Sequence, residues 1–477
     1  MSTYEAVIGL EIHIQLNTKS KIFCSCKADS WGAPPNSNIC PVCTGQPGVL
    51  PVPNQKVIEK GVLLARAMNS EIQPVSYFDR KNYFYPDLPK GYQISQYDMP
   101  LAKGGHLDLP LEDGGTRRVT IEKLHIEEDA GKTVHQQDRR LLDYNRCGVP
   151  LVEMVTGPDL RSADEAADFI RRLRQLTRWI GVSEADMEKG HLRFDANVSI
   201  RETGQTILNP KTEIKNVNSV EHARGAIQAE IKRQIKAVEA GESVQSWTLD
   251  WDEDSQTLSK MRSKETEADY RYFREPDLLP IKLTKEQIKE ILRGLPELPL
   301  ERKMRFIEEY HLPEHDAEVL TSERSLADYY QAALEAYQGE AKQVANWVIN
   351  EVLGMMNEQG LAPDELSLTP GRLAEVLSMI DEGTINSSTA KNLIRMVEAE
   401  DEDPLEIVEA KKLAQLTDSS QIQALCEEII EENPEQAAQY QAGKQSLIGW
   451  FIGQAMSASG GKADPQAVRE IFQQLLE

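Results

Sequence analysis

The chain has 477 residues, with 53 Lys and Arg against 77 Asp and Glu, for a formal net charge of −24. That length exceeds one compact core and predicts roughly three domains. The acidic balance excludes a general polyanion-binding surface, leaving any nucleic acid to local basic patches. Six cysteines do not make a secreted disulfide framework at this size, the N-terminus carries no basic-then-apolar leader, and no apolar run approaches the ~20 residues of a membrane span. The expectation is a protein of the cytoplasm, or of an organellar stroma or matrix, with no membrane association.

The first strong element is the alternation from Ala6 to Leu16. Ala6, Ile8, Leu10, Ile12, Ile14 and Leu16 form one row, and Glu11, His13 and Gln15 fall on the other. This predicts a strand with its apolar row on a helical layer and its polar row on an open surface. Cys24-Ser-Cys26 then precedes Cys40-Pro-Val-Cys43-Thr-Gly45 by thirteen residues. Two thiolate pairs on tight turns suit a tetrahedral structural zinc, with four buried free thiols as the alternative. A helix is expected over residues 55–68. Arg80 and Lys81 lie among aromatics in Phe78 to Asp87, a setting for phosphate contact with a ring on a base, or simply for aromatic strand packing.

Residues 119–127 set His125 and Glu127 on one row against Leu124 and Ile126, and run into Glu128, Asp129, Ala130, Gly131 and Lys132. Gly131-Lys132-Thr133 is not a phosphate-binding P-loop, because Ile126 stands where the first Gly belongs. Ser162 with Glu165 forms a capping box for an amphipathic helix over 163–180 that Gly181 stops. Arg193, Asp195, Asn197, Ser199 and Arg201 alternate against apolar residues, Lys211, Glu213 and Lys215 share a row, and a second helix is expected over 220–240. Together these predict an α+β domain over 1–294, with a zinc unit at about 22–46. Its one antiparallel sheet gathers acids, a histidine and cations on one face, a costly arrangement unless the groups pair or bind something.

Beyond Leu295-Pro-Glu-Leu-Pro299 the texture is helical. It predicts an all-α domain over 295–407, an acid-rich linker at 398–406 and a small all-α tail over 408–477. Gly443-Lys444, Gly449-Trp-Phe-Ile-Gly-Gln454 and Gly460-Gly-Lys462 put glycines in helical texture. There they serve close helix packing or backbone approach to a ligand.

Six stretches in order, Gly9 to Leu16, Asp79-Arg-Lys-Asn-Tyr-Phe-Tyr-Pro-Asp87, Tyr92-Gln-Ile-Ser-Gln96, Leu124-His-Ile-Glu-Glu-Asp-Ala-Gly-Lys132, Arg193-Phe-Asp-Ala-Asn-Val-Ser199 and Asp269-Tyr-Arg-Tyr-Phe273, together resemble the B subunit of the glutamyl/aspartyl-tRNA amidotransferase. The match spans essentially the whole chain. The resemblance implies a glutamine synthetase-like cradle and a heterotrimer with A and C subunits. In it this chain uses ATP and Mg²⁺ to activate Glu on tRNA(Gln), or Asp on tRNA(Asn), as an acyl phosphate, which ammonia from glutamine then displaces.

By that resemblance Glu11, His13, Glu127 and Glu213 are assigned to magnesium. Lys81, Tyr83, Ser95 and Asp195 are assigned to nucleotide or phosphate contact, and Glu128, Asn197 and Lys215 to positioning the substrate. Glu11, His13, Glu127 and Glu128 form the expected catalytic group; Cys24, Cys26, Cys40 and Cys43 are the expected zinc ligands. Lys444 and Lys462 are the expected tRNA contacts of the tail. The residues agree on the chemistry, since phosphoryl transfer to a carboxylate crowds anions and needs cations held by acids and imidazole. Two other classes remain open on sequence, a zinc-containing tRNA-binding scaffold without chemistry and a tRNA-independent ATP-dependent ligase. Cys147 lacks a strand-to-helix elbow and Cys426 lies beside Glu427 and Glu428, so neither reads as a glutaminase nucleophile, and the nitrogen must come from a partner.

Overall fold

The N-terminal alternation forms a strand, Tyr4–Gln15, in which Ile8, Leu10, Ile12 and Ile14 are at most 1% exposed. The computed structural model describes residues 3–111, 114–136, 138–253, 255–263, 270–415, 419–459 and 462–476. It comprises two units, Met1–Leu298 and Pro299–Glu477. Asp269 of the sixth motif and Gly460 and Gly461 of the tail lie outside the described residues.

A ten-stranded sheet organises the first unit. From one edge it runs Thr257–Ser263, Trp247–Asp252, Thr212–Val217, Leu192–Glu202, Tyr4–Gln15, Pro150–Thr156, Thr116–Glu128, Ala102–Lys103 and Glu71–Ile72, with His106–Pro110 also paired to Thr116–Glu128. The sheet departs from the expected all-antiparallel form at one pair. Thr212–Val217 and Trp247–Asp252 are parallel, and the helix Val220–Glu239 is the crossover that such a pair requires. The sequence reading also passed over Pro150–Thr156, which sits between the first strand and Thr116–Glu128.

The apolar face is covered by helices. Val220–Glu239 packs on Leu192–Glu202 and Thr212–Val217, Ala163–Trp179 packs on Val220–Glu239, and Gln55–Ala67 packs against Thr116–Glu128. Ser162 Oγ accepts from Glu165 N–H at 3.0 Å, and Gly181 takes the left-handed turn (φ +66°) that ends the helix. A buried polar network ties helix to sheet. Thr212 Oγ1 donates to Glu230 Oε1 at 2.6 Å, and Gln234 Nε2 donates to the same oxygen at 2.7 Å and to Val198 O at 3.0 Å. Arg233 forks the Glu230 carboxylate at 2.7 and 2.8 Å.

The second unit is built of helices from Pro299–Tyr310 to Pro465–Leu476. The expected acidic linker is instead a tight turn. Ser387–Glu400 ends at Asp401 in the left-handed region, and Asp403 caps Pro404–Ala410 through a bond from Leu405 N–H at 2.9 Å. The expected boundary at 407/408 therefore falls inside a helix, one that packs on Pro370–Asp381 and Ser387–Glu400. A separate core gathers Ile422, Cys426, Phe451, Val468 and Phe472, with the two phenyl centroids 5.3 Å apart. Among the described residues no helix is long and apolar enough to cross a membrane.

Candidate active site

The polar rows of neighbouring strands meet side by side. His125 stands opposite Glu153, Glu153 opposite His13, and His13 opposite Arg193, across four adjacent strands. Glu11 is the partner of Asp195. With Glu127, Lys81, Tyr83, Glu213, Lys215, Tyr270 and Tyr272 these residues line a cleft of about 750 Å³. Strand alternation thus delivers acids and imidazoles to one side of the sheet while the aliphatic row goes to the helices.

Glu153 is the centre of the cluster. Its Oε2 lies 3.1 Å from His125 Nε2 and 3.5 Å from His13 Nε2, and Glu127 lies 3.5 Å from His13 and 3.7 Å from His125. Ser95 Oγ holds Glu127 Oε2 at 3.1 Å. Burial works to raise the Glu153 carboxyl, but the two imidazoles hold it well below the usual carboxylate range. Burial likewise works to lower His125, yet Glu153 and Glu127 raise it to about 9. Glu11 is raised, by burial first and then by the charge of Glu153. Two donor sets have all their ligand atoms within 4.8 Å of one another, Glu11 with His13 and Glu153, and His125 with Glu127 and Glu153. Mixed carboxylate and imidazole donors on one rigid sheet can hold divalent cations, which would displace the imidazolium protons.

Cations flank the acids. Lys215 Nζ lies 2.5 Å from Asp195 and 3.9 Å from Glu213, whose Oε2 also accepts from Thr248 Oγ1 at 3.1 Å. Lys81 Nζ sits 4.8 Å from the Tyr270 ring centroid. Burial alone would lower its pKa, but Glu127, Tyr272 and Glu153 hold it above the ordinary range. Arg193 reaches Asp129 at 2.8 Å.

The predicted residues divide as follows. Glu11, His13, Glu127, Lys81, Tyr83, Asp195, Glu213 and Lys215 come together in the cleft, although Glu213 joins neither donor set. Ser95 acts on Glu127 from beneath, being 1% exposed. Asn197 lies one step further along the Asp195 row, opposite Gly9 and Glu213, outside the cleft lining. Glu128 falls on the other side of its strand. It pairs with Lys90, accepts from Ile94 N–H at 2.9 Å and lines a separate cavity of about 70 Å³ together with Cys24 and Cys43.

Arg80 does not reach the cleft either. It forks Glu275 at 2.7 and 2.8 Å and stacks on Tyr92 at 4.2 Å, so the aromatic packing alternative applies to it, while Lys81 lines the cleft. Sequence reasoning missed Glu153 altogether. It placed His125 on the right row without giving it a role. A lone acid in Pro-Leu-Val-Glu-Met-Val-Thr was the available signal.

Cys24, Cys26, Cys40 and Cys43 bring four sulfurs within 4.8 Å of one another, in a stretch with no helix between Gln15 and Gln55. The Cys43 thiol is lowered to about 5 by hydrogen bonding with Cys24, by the Cys40 backbone and by Lys21, while Cys24 is pushed far up. Lys21 is fully buried, with Nζ 2.9 Å from Asn38 O and 3.7 Å from Cys43 Sγ. Four soft donors at this spacing, with a buried cation to offset thiolate charge, fit a tetrahedral metal ion. In the tail, Lys444 is exposed with Nζ 3.3 Å from Gln439 Oε1, and Lys462 is half-buried.

Comparison with known families matches residues 6–289 to the GatB/GatE catalytic domain and residues 328–476 to the GatB domain. A sheet-based catalytic domain followed by a helical one is therefore the class of protein. Proteins named as the B subunit of an aspartyl/glutamyl-tRNA(Asn/Gln) amidotransferase are similar over the full length. The one from Persephonella marina is 46% identical over 474 residues, covering 99% of this chain and 100% of the relative. Those from Thermodesulfovibrio yellowstonii and Thermotoga petrophila are 46% and 47% identical, each covering 99% of both chains. The chain belongs to this family, the B subunits of the aspartyl/glutamyl-tRNA(Asn/Gln) amidotransferase, whose members are parts of an enzyme.

Proposed function

We propose that this chain uses ATP to phosphorylate the side-chain carboxylate of Glu on tRNA(Gln), or of Asp on tRNA(Asn), within a cytoplasmic heterotrimer with A and C subunits. One carboxylate oxygen attacks the γ-phosphorus and ADP leaves. Ammonia from glutamine hydrolysed in the A subunit then attacks the carbonyl carbon, and phosphate leaves with the oxygen it gained. The supporting observation is the crossing of Glu153, His13, His125 and Glu127 with Lys81 and Lys215 in one cleft, a face built to gather anions and cations together.

Glu11, His13, Glu153, His125 and Glu127 would hold Mg²⁺, which when bound neutralises the phosphoryl oxygens and orients them for in-line transfer. Lys81 and Lys215 supply fixed positive charge to the phosphates, and the Tyr270 and Tyr272 rings limit water around Lys81. Glu213 and Asp195 fix the Lys215 ammonium. Cys24, Cys26, Cys40 and Cys43 would hold a structural zinc. The small core from Ile422 to Leu476, with Lys444 and Lys462, is assigned to tRNA shape and backbone. In its helix Ile448–Ala458, Gly449 and Gly453 are exposed, and a Cβ at either would meet nothing within 4 Å. Helix packing does not explain them, which supports a reading in which a ligand approaches the backbone there.

The test is ATP-dependent formation of phosphorylated, then amidated, aminoacyl-tRNA by this chain assembled with its A and C subunits. His13→Ala and Glu127→Ala should each abolish it, and the double variant should be little worse than either. ATP turnover independent of charged tRNA, or modest additive losses, would overturn the reading.

A further inference from the structure

Gln96 follows the strand Tyr92–Ser95 and is 2% exposed. Its side-chain oxygen accepts two backbone bonds, from Leu101 N–H and from Ile126 N–H, each at 3.0 Å. That fixes which end of the amide is which, because turning it over would set NH₂ against two N–H donors. The NH₂ end is thereby held in place, and Gln96 lines the cleft beside Lys81, His125 and Glu127. Among the described residues Gln96 Nε2 has no hydrogen-bond partner, and neither has the buried Nδ1 of His125. A buried donor locked in position and left unpaired is the arrangement expected of a group whose acceptor arrives with the substrate.

We propose that Gln96 Nε2 is a substrate-binding donor that takes an anionic oxygen of the reacting pair, either a phosphoryl oxygen of the nucleotide or a carboxylate oxygen of the aminoacyl group. This rests on the activation reading above. A donor fixed by strand backbone adds no reorganisation as charge shifts between the two, and its strength rises in a cleft that excludes water. The acids nearby are already engaged, Glu127 by Ser95 and the imidazoles and Glu153 by both imidazoles, so the donor is free for an incoming anion.

The experiment uses the chain assembled with its A and C subunits and the variant Gln96→Glu. That change keeps an oxygen to accept from Leu101 and Ile126 but replaces the donor by a carboxylate. The kcat/KM for amidation at pH 8, read below the variant's own unfolding temperature, should fall roughly 10- to 100-fold, the worth of one hydrogen bond to a charged group. ATP affinity measured without tRNA distinguishes the sources. If it falls in step, the nucleotide supplies the oxygen; if it holds and the loss is confined to charged tRNA, the aminoacyl carboxylate does. Should Gln96→Glu fail to fold, Gln96→Met read below its own unfolding temperature must show the same loss. Wild-type kinetics in either variant would reduce Gln96 to a spacer for strand backbone and overturn the proposal. A wild-type complex without ATP-dependent amidation would instead overturn the activation reading, while ATP affinity still reports on Gln96.

Discussion

Glu153 keeps its charge in a buried place only because two imidazoles face it. Linkage turns this into a pH signature. A carboxyl held below its usual 4.5 contributes stability above that value and loses it as pH falls further. His125, raised from 6.5 to about 9, contributes fully below 6.5 and loses that contribution as pH rises through about 9. In magnesium-free buffer the unfolding temperature should therefore be highest between these limits and decline from pH 6.5 toward 9. His125→Gln should flatten that alkaline decline. Added Mg²⁺ should flatten it too, since a cation in the cluster replaces the proton. An alkaline limb identical in wild type and variant would show that His125 is not the titrating group.

At the scale of elements, the strand Thr212–Val217 carries Glu213 and Lys215 into the cleft, and the helix behind holds it by polar bonds rather than by packing alone. Glu230 is fully buried and takes bonds from Thr212, Gln234 and Arg233. Glu230→Ala would leave those donors unsatisfied and should destabilise the first unit by about 2–4 kcal/mol, with Glu230→Gln losing clearly less. Urea unfolding followed by tryptophan fluorescence checks this, and equal losses in both variants would mean that volume rather than hydrogen bonding matters.

The same contrast between elements explains what could be read from the sequence. Strands with one face on helices and one on the cleft announce themselves by alternation, and so Glu11, His13, Glu127, Asp195, Glu213 and Lys215 were legible. Pro150–Thr156 also turns one row to the cleft, but that row is Leu151, Glu153 and Val155. With two of the three apolar and the strand almost wholly buried, the period vanishes, and Glu153 with it. Strand order and the parallel crossover were not legible because periodicity reports which face a residue occupies, never which strand lies beside it. Glu128 falls outside the cleft lining for a related reason. Adjacent acids in a strand face opposite ways, so the expected catalytic group of Glu11, His13, Glu127 and Glu128 spans both faces of its strand.

For the molecule as a whole, the stretch from residue 22 to residue 46 has no helix, and a zinc on the four sulfurs would tie its two cysteine pairs together. Cys40→Ser should lower the unfolding temperature and the yield of folded chain strongly, while the folded fraction keeps near-normal turnover and loses its bound zinc. Normal stability without metal would reject a structural role. This region also abuts the catalytic strand, because a Cβ at Gly148 would lie 3.5 Å from Cys43 Cβ and 3.9 Å from Glu128 Oε2. On the proposed zinc, correct placement of residues 127–129 would depend on a neighbour that folds only when an ion is at hand. For a growing cell that would make one trace nutrient a condition of newly made chains becoming active, and scarcity would thin their number rather than slow each one.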